Sequence, residues 1–109
     1  MKLLQTESAI SLAFSAYRQW GPIRNKPPLE RIRVELPDAT QEQVDGWLVE
    51  FKKIHQLMWE ISQQGGSFKL GDEEVSRILT EAFPFLSGKG LKGAIYDLNW
   101  DAWHEGLDK

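Results

Sequence analysis

TQEQVDGWLVEFKKIHQLMWEISQQ, residues 40–64, reads as one uninterrupted amphipathic helix and decides the fold class. Val44, Trp47, Leu48, Phe51, Ile54, Met58 and Ile61 recur at spacings that stack side chains on one face of an α-helix. The start is marked twice. Thr40 and Gln43 make a T-x-x-Q capping box, and Ala39 and Val44 stand where a hydrophobic staple closes over the first turn. Gly65-Gly66 marks the stop, because glycine takes the left-handed conformation that caps a helix end. The apolar face is broad, so this helix is expected to be central and to touch more than one neighbour.

Working outward, the same periodicity predicts a helix from about Glu7 to Trp20, with Ile10, Ala13, Phe14, Tyr17 and Trp20 on one face. Thr6 or Ser8 can accept the free N–H groups at its start, and Gly21-Pro22 ends it. A basic, proline-rich connector covers residues 21–28. Residues 29–36 alternate like a strand but also fit a short helix opened by Pro28. The helix is preferred because a lone strand has no partner elsewhere in the chain. A further helix is expected from Asp72, as N-cap, to Phe83, where Pro84 disfavours helical backbone. Ser87-Gly88-Lys89-Gly90 reads as a turn. A last helix runs from Leu91 to Glu105 with Gly106 as its cap. The expected fold is all-α: one compact bundle of four to five helices, forming a single domain over residues 1–109. Phe14, Trp47, Phe51, Leu79 and Leu98 are its expected core.

Composition agrees with a folded globule. Hydrophobic residues make up 41 % and charged residues 27 % of the 109 positions. Cysteine is absent, which excludes disulfides, thiolate metal sites and a cysteine nucleophile. Met1-Lys2-Leu3-Leu4 is followed by polar residues rather than an apolar stretch, so no signal peptide is expected, and no run is long enough to span a membrane. A cytoplasmic location is the expectation. The charge is uneven: residues 1–34 hold six Lys/Arg against two Asp/Glu, whereas residues 35–109 hold seven against fourteen.

No catalytic signature is present: no phosphate-binding glycine loop, no nucleophile elbow, no paired-histidine zinc motif. Gly88-Lys89-Gly90 is too short to cradle phosphate. His55 falls between Phe51 and Met58 on the apolar face of the long helix, where a histidine acts as a shifted acid or base or simply closes the core edge. Asp97, Asp101 and His104 share a stripe of the last helix, an arrangement able to ligate a divalent cation. Tyr96, Trp100 and Trp103 form a second apolar stripe, turned away from Leu91, Ile95 and Leu98 at about 100° per residue. These rings are either sandwiched within the fold or form a partner surface. Arg18, Arg24, Lys26, Arg31 and Arg33 make a basic segment of the kind that contacts nucleic acid. Against that reading, the pI is about 5.4, far below the usual range of such domains, above about 9.

The favoured expectation is a non-enzymatic interaction protein of the inhibitor, immunity or adaptor type. Its binding residues would be Tyr96, Trp100, Trp103, Asp97, Asp101 and His104, with the acidic surface steering it to a basic partner. A second copy of the chain is an alternative partner. The second reading is a nucleic-acid-binding regulator using Arg24, Lys26, Arg31 and Arg33. The third is a metal-dependent enzyme on the Asp97 stripe. No catalytic residue, metal ligand or cofactor is assigned under the favoured reading.

Overall fold

The computed structural model describes residues 8–18, 25–104 and 106. Six helices occur among them: α1 (Ala9–Tyr17), α2 (Pro28–Ile32), α3 (Gln41–Gln63), α4 (Gly66–Leu70), α5 (Asp72–Ala82) and α6 (Gly88–His104), with no strand.

The long helix forms for the reasons visible in its sequence. The Gln43 N–H donates to Thr40 Oγ1 at 3.2 Å, and the Thr40 N–H donates to Gln43 Oε1 at 3.0 Å, completing the capping box. Ala39 and Val44 are both buried beside it. Thr40→Ala should therefore lower unfolding free energy by about 1 kcal/mol in denaturant melts. An unchanged midpoint would mean that the box contributes nothing to the folded state. α3 touches each of the other five helices and is the axis of the bundle.

Phe14, Phe51, Ile54, Ile61, Val75, Leu79 and Leu98 are fully buried in one cluster, and α2 adds Ile32. Phe14 meets Phe51 edge to face, with ring centroids 5.3 Å apart. Trp47 is the exception among the expected core residues. It is only half-buried, packed at the rim of the cluster.

Several boundaries differ from expectation. α1 begins at Ala9, capped by Ser8, whose side chain accepts the Ser11 N–H. The expected Thr6 cap, Trp20 and the Gly21-Pro22 stop lie outside the described residues. α2 is shorter than 29–36, its hydrogen bonding giving way to turns after Ile32. α4 carries no sequence signal, being five residues with no side-chain cap. Gly71, not Asp72, is the N-cap of α5. Asp72, Glu73 and Glu74 instead fill its first turn, where carboxylates suit the positive end of the helix dipole.

The largest revision is at α6, which starts at Gly88, three residues before Leu91. The apparent turn is its first turn: Gly88 takes a left-handed φ of 46°, while Gly90, and Gly93 after it, serve packing. A Cβ on Gly90 would stand 2.5 Å from the Ser11 carbonyl oxygen, and one on Gly93 would stand 2.5 Å from Arg18 Cδ. These two glycines let α1 lie directly against α6. Ser8 and Ser11 tie the preceding connector to α1 by donating to Phe85 O and Ser87 O, at 2.9 and 2.8 Å.

Candidate interaction site on the last helix

α6 is packed on four sides by α1, α3, α4 and α5, yet one stripe of it faces outward. Tyr96, Trp100 and Trp103 keep 63 %, 44 % and 58 % of their surfaces exposed. Within the described residues they are not sandwiched. The inward stripe consists of Ala94, Leu98 and Ala102, all buried, with Ile95 and Leu91 packed at its edge. His104 stacks on Trp100, centroids 4.6 Å apart and planes 12° from parallel, and so steadies that ring at the surface.

Beside this stripe an open groove of about 600 Å³ is lined by His55 and Met58 from α3 and by Tyr96, Asp97, Trp100 and Asp101 from α6. Spacing within α6 alone could not reveal the α3 wall. The signal for it was His55 and Met58 lying three apart on the same face of the long helix. Trp59, one residue beyond Met58, is also exposed.

The acidic stripe does not stay together as one surface. Asp97 Oδ2 and Oδ1 accept Arg18 Nε and Nη2 at 2.7 and 2.9 Å, in a bidentate pair that is largely enclosed. Asp101 lines the groove, and His104 is committed to its stack on Trp100. Among the described residues no three metal-ligating side chains converge. Asp108, four positions after His104 in the sequence, lies outside the described residues.

His55 sits at the edge of the core, exposed on one side, rather than in the middle of the apolar face. Its ring packs against Phe14 and Tyr17 at 5.5 and 6.2 Å. That apolar packing holds its pKa below the ordinary 6.5, outweighing the opposite pull of Asp97 and Asp101. The folded protein thus binds this proton more weakly than the unfolded chain. Stability from this group is complete above the unfolded value of 6.5 and is lost as pH falls below it towards the folded value. His55→Gln should flatten the decline of Tm with pH just below 6.5. A wild-type slope retained in the variant would assign the decline to other groups.

The basic segment is spent largely on structure. Arg31 donates to the Tyr17 carbonyl and lies over the Tyr17 ring at 4.5 Å. Arg33 Nε donates to Ala39 O at 2.9 Å. Lys26 is exposed, and Arg24 lies outside the described residues. Of the described members of this segment, Arg31 and Arg33 are each engaged by a backbone carbonyl of the fold.

No family model, curated protein or solved structure matches this chain. The assignment of its role therefore rests on the chemistry of α6 and the groove. No helix among the described residues is long and apolar enough to cross a membrane.

Proposed function

We propose that the chain is a non-enzymatic interaction protein of the inhibitor, immunity or adaptor type, docking on a protein partner through the aromatic and acidic face of α6. The observation that carries this reading is the exposure of Tyr96, Trp100 and Trp103 along one helix. Tyrosine and tryptophan are the residues most enriched among interface hot spots, because a large rigid ring yields much contact area at little entropic cost. A cysteine-free sequence supports a reducing compartment such as the cytoplasm.

The test is affinity capture from cells of the source, comparing the wild type with Trp100→Ala and with the distant control Glu42→Ala. A protein retained by the wild type and the control should be lost from Trp100→Ala, its affinity falling about 30-fold or more. Melting of Trp100→Ala should stay close to wild type. An identical set of retained proteins would overturn the reading, as would a collapse of stability that makes Trp100 a fold residue. Sedimentation identifies a second copy as the partner if the wild type self-associates and Trp100→Ala does not.

A further inference from the structure

We infer that the partner covering α6 is a second copy of this chain, laid antiparallel along the line from Lys92 to Trp103 on the same helix. This rests on the reading of α6 as the docking face and names what docks there. Lys92, Tyr96, Trp100 and Trp103 follow one another at spacings of four, four and three, and all four are exposed. Such spacings keep them on one line along the helix, about 16 Å from end to end. The line is close to symmetric about the bond between Asp97 and Leu98. Lys92 and Trp103 stand equally far from it, and Tyr96 and Trp100 differ by a single residue.

A two-fold dimer needs this kind of symmetry, because each residue must meet on the partner the residue that meets it. Turned end for end, the helix sets its Lys92 on the partner's Trp103 and its Tyr96 beside the partner's Trp100, and both pairs recur on the other side of the axis. A lysine ammonium group is attracted to the face of tryptophan, and tyrosine and tryptophan gain from an offset or edge contact. Lys92 is in no ion pair among the described residues, so this contact displaces none. His104 stacks on Trp100 and holds that ring in place before a second copy arrives. The area fits the same occupant. Rings of this size bury about 150–250 Å² each, so Tyr96, Trp100 and Trp103, at 63 %, 44 % and 58 % exposed, offer roughly 250–400 Å² per chain. An interface at the small end of the specific range covers about 600 Å² per partner, of which about 400 Å² is apolar in a homodimer. Phe68 adds to the apolar part: it is exposed on α4 next to Ser67, whose N–H donates to Asn99 Oδ1 on α6 at 2.8 Å. The three rings meet most of the need, and the expected dimer is weak and reversible.

Sedimentation equilibrium of the full chain, from about 1 µM to about 1 mM, should show a monomer–dimer equilibrium with a Kd in that range. Trp100→Ala should raise the Kd about 30-fold or more, and Lys92→Gln about fivefold, since its contact is made twice. Lys92 is exposed, so its variant keeps the fold and decides the matter should Trp100→Ala fail to fold. The sequence has no cysteine, so cross-linking can read the direction of pairing. An equimolar mixture of Lys92→Cys and His104→Cys chains, treated with a short bismaleimide, should join the two variants to each other. Lys92→Cys alone should join to itself poorly, because its two copies lie about 17 Å apart along the helices. A chain still monomeric at about 1 mM overturns the inference. So does a dimer indifferent to both substitutions, or one in which Lys92→Cys joins to itself as readily as to His104→Cys. A monomer that captures another protein through Trp100 removes the second copy and leaves the docking face standing. No self-association and no Trp100-dependent partner remove both.

Discussion

Replacing Leu98 with alanine should cost about 2–5 kcal/mol of unfolding free energy, with the result near the upper end of that range. Leu98 is fully buried on the inward side of α6. The helix that carries it is held by α1, α3, α4 and α5 together, so the surrounding structure has little freedom to collapse into the space left by the missing carbons. Leu98 Cδ1 already lies 3.2 Å from where a Cβ on Gly66 would stand, which shows how closely the α4 backbone approaches it. The lost burial and the unfilled cavity therefore add. In denaturant melts the midpoint should fall while the slope stays constant, because the surface exposed on unfolding scarcely changes. A loss below about 0.5 kcal/mol would contradict the burial of this residue.

Leu98 and Trp100 are two residues apart and illustrate what a sequence can and cannot disclose. Helical period separates the two sides of α6 from the first reading, but period says nothing about which side is covered. That depends on how many neighbours the helix has and where they lie. α3 was legible almost completely, since its capping box, staple, apolar face and glycine stop all agree. α4 was not, since five residues are too few for a period to repeat. The first turn of α6 reads as a loop because glycine and lysine there look like punctuation; Gly88 does take a left-handed φ, but Gly90 answers to the closeness of α1. Trp47 follows the period of α3 faithfully and still ends at the rim, since the apolar face is wider than the neighbours that cover it.

The candidate site divides in the same way. Tyr96, Trp100 and Trp103 were visible as a stripe. The groove was not, because one wall of it, His55 and Met58, belongs to α3. Neither was the pairing of Asp97, whose partner Arg18 is 79 positions away, so that no spacing rule connects them. Arg18, Arg31 and Arg33 looked like one basic segment, but each is taken up by a separate acceptor on the fold.

Asp97→Ala should destabilise the protein by about 2–4 kcal/mol. Removing one member of a fully buried ion pair costs about 3–5 kcal/mol, because the remaining charge is left without water or partner. Here the two side chains retain 16 % and 17 % exposure, which moderates the penalty without removing it. The guanidinium has little room to escape, since Arg18 lies across Gly93, with Cδ and Nε 2.5 and 2.8 Å from where a Cβ would stand. Replacing both residues, Arg18→Met with Asp97→Leu, should recover at least about 1 kcal/mol relative to Asp97→Ala, because two apolar side chains of similar size leave no stranded charge. A double variant as unstable as the single one would mean that the pair's geometry, rather than its charge, holds α1 to α6. A cost below about 0.5 kcal/mol for Asp97→Ala would place the pair with ordinary surface ion pairs.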